Sequence, residues 1–323
     1  MRTFVTGGAG YIGSVCAEEL LAAGHEVVVY DSLVHGHRAA VPRGARFVQG
    51  DLADRATLGR TLAEARPEVI LHFAAHALVG ESMANPGKYF RNNVGAGLNL
   101  LEAAVAAGVS KIVFSSTCAT YGVPERTPIT EELPPRPINP YGESKLMFER
   151  MLEWFERVHG LGYVAFRYFN AAGATAERGE HHSPETHLVP NVLRVALGQA
   201  AHCEIYGADY PTPDGTCIRD YIHVADLARA HVLALAPGAR GIYNLGTGDG
   251  CSVRQVLAAC EAASGRTIPA VLRPRRPGDP ARLVASADRA RRELGWVPRW
   301  TRLEDIVASA WAWHRAHPHG YAD

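Results

Sequence analysis

Val5-Thr6-Gly7-Gly8-Ala9-Gly10-Tyr11-Ile12-Gly13 stands between a β-branched run at residues 2–6 and a helical pattern over residues 12–23, and its reading decides the fold. A glycine-rich turn from a first strand into a first helix offers backbone N–H groups at a helix N-terminus, where a dinucleotide pyrophosphate rests. The spacing is Gly-x-x-Gly-x-x-Gly through Gly7, Gly10 and Gly13, not the tighter Gly-x-Gly-x-x-Gly, so the turn needs support from its surroundings. Asp31 supplies it. This carboxylate follows the second strand-like run, about 20 residues past the glycines, where it can accept hydrogen bonds from both ribose hydroxyls of NAD and would repel the extra phosphate of NADP. His37 and Arg38 follow closely and could hold such a phosphate, but the carboxylate favours NAD. Asp51, after Phe47-Val48-Gln49-Gly50, is read either as an adenine contact or as the N-cap of the next helix.

Outward from the turn, strand-like runs at residues 27–30, 47–48, 69–73 and 111–115 alternate with helical patterns at 54–65 and 88–107, the last ended by Gly108. Strand, helix, strand in repetition predicts a Rossmann-type doubly wound α/β fold, a parallel sheet with helices on both faces. Residues 122–140 hold six prolines and read as a surface loop. A helix over 141–159 and a strand over 162–166 follow, leading to Arg167-Tyr168-Phe169-Asn170. Beyond it the alternation becomes irregular, with a loop rich in His, Glu and Pro up to Pro190 and then helices near 224–236, 252–264 and 302–317. The expected division is 1–170 as the main nucleotide-binding domain and 171–323 as a smaller mixed α/β substrate domain. Residues from about 220 to 250 return to the first domain.

Composition narrows the partners. Lys plus Arg (33) equals Asp plus Glu (33), so no net field recruits nucleic acid or an anionic membrane. No run approaches the roughly 18 apolar residues of a membrane span, and the chain runs from Met1 directly into its first strand, unlike a signal peptide. Six scattered cysteines without a CxxC argue against both a zinc site and a disulfide framework. A cytoplasmic protein is expected. His181, His182 and His187 read as solvated loop histidines, and no metal is expected.

The most informative pair is Tyr141 and Lys145 in Pro140-Tyr141-Gly142-Glu143-Ser144-Lys145. Four residues apart on a helix, they share one face. A phenol of pKa about 10 is a poor base at neutral pH, but a neighbouring ammonium and a positive nicotinamide both favour the phenolate, each unit of depression being about 1.4 kcal/mol. Ser115-Ser116-Thr117 closes the fifth strand at the sheet's carboxyl edge, where open α/β folds bind ligands. Thr117 is placed to hydrogen-bond the oxygen that Tyr141 deprotonates. Ser115 and Ser116 read equally well as strand-end caps.

The blocks Val5 to Ser14, Ser115-Ser116-Thr117-Cys118-Ala119-Thr120-Tyr121-Gly122, Arg167-Tyr168-Phe169-Asn170, Tyr210 to Val224 and Tyr243-Asn244-Leu245-Gly246-Thr247-Gly248 resemble the signature blocks of the UDP-glucose (UDP-galactose) 4-epimerases. This is a branch of the extended short-chain dehydrogenases/reductases, and the resemblance covers nearly the whole chain. It implies tightly held NAD, a UDP-hexose substrate, inversion at sugar C4 through a 4-keto intermediate, and a homodimer built on helices at 88–107 and 141–159. Tyr141, Lys145 and Thr117 would then be catalytic. The cofactor would touch Gly7, Gly10, Tyr11, Ile12 and Gly13 at the turn, and Asp31, Asp51 and Leu52 near the adenosine. It would also meet Phe73, Ala74, Ala75 and Asn92, with Ser115, Tyr141, Lys145 and Tyr168 around the nicotinamide half. The UDP-sugar would meet Thr117 and Tyr141 at the hexose, Asn170, Arg219 and Arg276 at the diphosphate, Asp279 at the ribose, and Leu188, Ile205 and Tyr206 near the nucleotide. Bidentate contacts to phosphate make sense of both arginines, although Arg273, Arg275 and Arg282 lie in the same basic stretch.

Two positions depart from family variants. Ala77 stands where some members carry a lysine on the NAD phosphates, and Leu283 stands where residue size is associated with room for an N-acetyl group. Epimerisation of UDP-glucuronate, a UDP-pentose or UDP-N-acetylglucosamine stays open on the sequence. A 4,6-dehydratase would need acid and base beside the strand-end threonine, where Cys118 and Ala119 stand. A non-catalytic NAD sensor has no use for the retained Tyr141 and Lys145 pair.

Overall fold

The computed structural model describes residues 1–276 and 279–322. Its first half alternates as expected: β1 (Arg2–Thr6), α1 (Tyr11–Ala22), β2 (Glu26–Asp31), β3 (Arg46–Gln49), α2 (Arg55–Ala65) and β4 (Val69–His72). Then come α3 (Val79–Ala84), α4 (Pro86–Tyr89), a π-helical stretch (Phe90–Ala96), α5 (Gly97–Ala106), β5 (Lys111–Ser115), α6 (Pro140–His159) and β6 (Gly162–Tyr168). The second half holds β7 (Asn170–Ala172), α7 (Leu188–Ala196), β8 (Cys203–Tyr206), β9 (Ile218–Arg219), β10 (Tyr221–His223), α8 (Val224–Leu233) and β11 (Gly241–Leu245). It ends with β12 (Cys251–Ser252), α9 (Val253–Ser264), β13 (Ala270–Arg273), β14 (Arg282–Leu283), α10 (Asp288–Leu294) and α11 (Leu303–Ala316).

Seven parallel strands form one sheet in the order β11-β6-β5-β4-β1-β2-β3. The order in which strands are laid down reverses between β1 and β4, and the crevice beyond their carboxyl ends is where such sheets bind ligands. Alternate side chains leave the sheet on opposite faces. Val5 and Leu71 join an apolar layer with Leu20, Leu227 and Trp296, while Phe4 and Ile70 join the opposite layer with Leu58, Leu100 and Phe148. A third apolar cluster lies among α7, α9 and α11.

The structure changes several details of the sequence reading. The helix expected over 88–107 is broken into α4, the π-helical stretch and α5. Asn93 lies within the irregular stretch, where its amide accepts from His76 N at 2.9 Å and donates to His76 O and Ser144 Oγ, each at 3.0 Å. These bonds tie the helix to the segment after β4 and to α6, a tertiary demand that periodicity does not reveal. The loop expected to run to Pro190 gives way to α7 at Leu188. Proline is harmless there, because N–H groups in the first turn have no intrahelical acceptor. β11 enters the main sheet beside β6, and α10 also packs on that side through Ala287, Ala290 and Trp296, beyond the returning segment expected near 220–250.

Candidate active site

The turn after β1 is built for close approach. Gly7 has φ +72°, and a Cβ there would lie 2.5 Å from Ala74 N, at the switch point between β1 and β4. A Cβ on Gly13 would lie 2.2 Å from Gly7 O, whereas on Gly10 it would have only that oxygen, at 3.4 Å. Gly10 caps α1 without any side chain, so the first N–H groups of that helix, including those of Tyr11 and Ile12, remain for an anionic ligand. Phe73 N and Ala74 N both donate to Thr6 O, which seats the segment through Ala75 beside the turn. The Tyr11 hydroxyl is turned elsewhere, donating to Gly173 O at 2.6 Å, and the Phe73 ring packs on His231 at 4.8 Å.

Asp31 is 7% exposed and accepts from Ala9 N at 2.9 Å and Leu33 N at 2.8 Å. Leu33 takes φ +61° to make that bond, an uncommon conformation for a branched side chain and a contact the sequence did not disclose. Burial raises the Asp31 pKa, with both backbone N–H groups opposing. Arg38 is engaged over the Phe47 ring at 4.5 Å. Asp51 is not the N-cap of α2: Asp54 is, accepting from Thr57 N at 3.0 Å, while Asp51 accepts from Ala53 N in the preceding turn and is exposed. Leu52 packs in the apolar layer under the sheet, and Asn92 donates to Asn93 Oδ1 at 2.9 Å.

At the carboxyl edge of β5 and β6 five of the expected residues meet. The Tyr141 hydroxyl is hydrogen-bonded to Thr117, whose Oγ1 also accepts from Ala119 N at 3.1 Å. Lys145, 3% exposed, donates to Ser115 O at 2.8 Å and lies 6.0 Å from the Tyr141 ring centre. The Ser115 hydroxyl is hydrogen-bonded to that of Tyr168. Ser116 points the other way, donating to Glu149 Oε1 at 2.5 Å. Tyr89, absent from the sequence reading, sets its ring edge-on to Tyr141 at 6.4 Å.

The electrostatics correct one expectation. Burial pushes Tyr141 up to about 12, with only the Thr117 hydrogen bond pulling it down, so the chain's own charges do not yield the phenolate. Burial also lowers Lys145 to about 7, against the pull of Glu149. A buried ammonium with three N–H groups and one protein acceptor is suited to further hydroxyl acceptors. Together with the uncapped helix and the glycines, this makes the residues fit a dinucleotide, its pyrophosphate on α1 and a ribose at Lys145.

The second group lies across β9 and the segment before β14. Arg219 and Arg276 both bind the Asp279 carboxylate, the latter with N···O of 2.9 Å, and Arg276 lies over the Tyr206 ring at 5.2 Å. Asn170 N donates to Asp220 O at 2.9 Å, and Asp220 accepts from Thr247 N, Gly248 N and Ala285 N. Leu188 packs against the third apolar cluster, and Ile205 is 2% exposed in β8. Arg273 and Arg275 are paired to Glu204 and Asp209 rather than free. Cys118, next to Thr117, is within the field of Arg219 and Asp220, so the second group lies near the first; burial pushes this thiol up to about 12.

The loop histidines, partly exposed, are not isolated as their sequence suggested. His182 and His187 converge with Glu180 and Glu185, residues too polar for periodicity to place and gathered only by the path from β7 to α7.

Comparison with known proteins agrees with this geometry. The sequence profile of the NAD dependent epimerase/dehydratase family matches residues 3–246. UDP-glucose 4-epimerase of Streptococcus mutans is 52% identical over 332 aligned residues, covering 100% of this chain and 99% of the relative. The crystal structure of UDP-glucose 4-epimerase from Brucella ovis in complex with NAD has a TM-score of 0.93 at 48% identity, covering 96% of this chain and 97% of that one. The Bifidobacterium longum enzyme in complex with NAD+ and UDP has a TM-score of 0.95 at 39% identity, covering 99% and 100%. Identity near one half along the full length, on the same backbone, leaves one conclusion: the chain belongs to the NAD dependent epimerase/dehydratase family.

Proposed function

We propose that this protein is a UDP-glucose 4-epimerase, interconverting UDP-glucose and UDP-galactose through a 4-keto sugar with NAD retained between turnovers. The observation that carries the reading is the Thr117, Tyr141 and Lys145 group at the sheet's carboxyl edge, with no carboxylate at Cys118 or Ala119 to drive elimination of water. Bound NAD supplies the acceptor and donor of the C4 hydride and a positive charge beside Tyr141. Tyr141 takes and returns the proton of the C4 hydroxyl, and Thr117 holds the same oxygen. Lys145 and Ser115 orient the nicotinamide half, with Tyr168 behind Ser115. Gly7, Gly10 and Gly13, with Tyr11 N and Ile12 N, receive the pyrophosphate, and Asp31 the adenosine ribose. Asp51, Leu52, Phe73, Ala74, Ala75 and Asn92 line the remainder.

The hexose must turn over while the nucleotide stays, so binding energy belongs on the UDP. Arg219, Arg276 and Asn170 take the diphosphate, Asp279 the ribose, and Leu188, Ile205 and Tyr206 the nucleotide's apolar side. Asp279 holds both arginines in place before the nucleotide arrives. Residues 1–170 with the returning segments form the cofactor domain, and the rest of the chain the UDP-sugar domain. Exposed Leu98, Met147, Trp154 and Val158 on α5 and α6 support a homodimer across these helices. Six free cysteines suit a cytoplasmic setting.

Proton NMR of the anomeric region tests the activity: purified protein without added NAD converts UDP-glucose to UDP-galactose. No conversion by protein shown to hold NAD would overturn UDP-glucose as substrate and direct the same assay to UDP-glucuronate, UDP-xylose and the UDP-N-acetylhexosamines.

A further inference from the structure

The connection from β7 to α7 carries Glu180-His181-His182-Ser183-Pro184-Glu185-Thr186-His187, and the polar ends of four of these side chains converge on one point, the carboxylates buried and the imidazoles partly exposed. One ligand atom from each of Glu180, His182, Glu185 and His187 lies within 4.8 Å of the other three. Both carboxylate side chains are only 6% exposed. Among the described residues neither is paired with a lysine or arginine, so the side chains that pair with these two buried carboxylates are imidazoles. His187 Nδ1 lies 2.9 Å from an oxygen of each carboxylate. His182 Nδ1 lies 3.4 Å from Glu180 and 3.5 Å from Glu185, and it is buried without a hydrogen-bond partner.

Those last distances are long for N–H···O bonds, which cluster near 2.9–3.0 Å. They match the edge of a tetrahedron of nitrogen and oxygen ligands about 2.0–2.2 Å from a central zinc, an edge of roughly 3.4 Å, whereas the two His187 contacts at 2.9 Å have hydrogen-bond length and would open as the ion enters. Two imidazoles and two carboxylates form a borderline ligand set that suits zinc, and the two negative charges balance a divalent ion. Glu185 is oriented in turn, since its Oε1 accepts from Thr186 N and His187 N, each at 2.8 Å.

We propose that Glu180, His182, Glu185 and His187 form a structural site for one Zn2+ ion per chain. On binding, zinc replaces the Nδ1 protons of the imidazoles, which leave to water. All four positions of a tetrahedral ion are filled by protein, which assigns the ion a structural part and not a catalytic one. The location says what it fastens. The His182 ring lies edge-on to Tyr11 at 6.5 Å, and Tyr11 opens α1 while its hydroxyl holds Gly173 O. Zinc would therefore pin the β7 to α7 connection against the helix proposed to carry the pyrophosphate.

The full-length protein, stripped with a chelator and dialysed, is titrated with Zn2+ against a chromophoric competitor, and separately with Co2+ while its visible spectrum is recorded. The expected result is one equivalent of either metal per chain, the intense visible bands of tetrahedral cobalt, and a rise in melting temperature of about 3–8 °C with zinc. Glu180→Gln and His187→Ala should lose the equivalent and the rise, while the distant His202→Ala keeps both. Absence of a stoichiometric metal in the stripped and refilled wild type, or six-coordinate cobalt, would overturn the proposal without reference to any variant. So would a metal equivalent retained in both Glu180→Gln and His187→Ala.

Discussion

At Tyr141 two influences oppose each other: burial pushes the phenol up to about 12 and the Thr117 hydroxyl draws it down. The side chain is held one helical turn from Lys145 by α6, which Asn139 caps by accepting from Gly142 N at 2.8 Å. Tyr141→Phe keeps the ring and removes the group proposed to take the C4 hydroxyl proton, so kcat should fall by about 10^2 to 10^4 with NAD still bound. Thr117→Val should cost less, roughly 10- to 100-fold, the value of one hydrogen bond to a group developing charge. Steady-state kinetics with cofactor content measured on the same samples separates these outcomes from loss of NAD. Tyr141 and Lys145 were legible in the sequence because a helix period of 3.6 residues fixes which side chains share a face, and Thr117 because it closes the fifth strand at the sheet's carboxyl edge. Tyr89, Leu33 and the Asp54 cap were not, since each depends on a contact between segments distant in the chain or on a local φ that residue type does not dictate.

Between elements, the most deeply buried ion pair among the described residues is Arg167 on β6 with Glu149 on α6. Their side chains are 3% and 1% exposed, and Arg167 Nε and Nη2 bond the two carboxylate oxygens at 2.9 and 2.5 Å. The joint also accepts the Ser116 hydroxyl, so it fixes the end of β5 against the helix that carries Tyr141 and Lys145. Arg167→Met would leave Glu149 buried and unpaired, costing about 3–5 kcal/mol, whereas Glu149→Leu with Arg167→Met should cost much less. Urea unfolding of the single and double variants measures both. Nothing in the local pattern announces this pair, since an arginine in a strand and a glutamate in a helix read as surface positions until the two are brought together. The alternation of strands and helices in the first half was legible because parallel strands buried on both faces are nearly all apolar. The π-helical break at Phe90–Ala96 was not, because it follows from Asn93 binding His76 and Ser144.

For the whole molecule, acid stability follows from histidines buried without charge. Burial lowers His72 to about 3 and His223 and His231 to about 4, and none is more than 2% exposed. The unfolded chain takes up these protons near pH 6.5 and the folded chain only near 4 or below, so stability is present above 6.5 and is lost as pH falls. Three sites give a slope of about 3–4 kcal/mol per pH unit between pH 6 and 5. His231→Phe, in the aromatic contact with Phe73 and Phe166, should reduce that slope by about one third in urea titrations at stepped pH. At this scale the sequence disclosed the sheet and the site blocks, while the second unit's short strands and the gathering of Glu180, His182, Glu185 and His187 depended on chain path alone. The account as a whole rests on hydride leaving C4 and returning to the same carbon from a cofactor that never departs. The direct measurement is the fate of deuterium in UDP-glucose labelled at C4, followed by NMR and mass spectrometry through to equilibrium with UDP-galactose. The account predicts that both sugars keep the label at C4, with none released to water. Washout of the label into solvent would contradict it, because it would mean that C4 inverts by losing and regaining a proton.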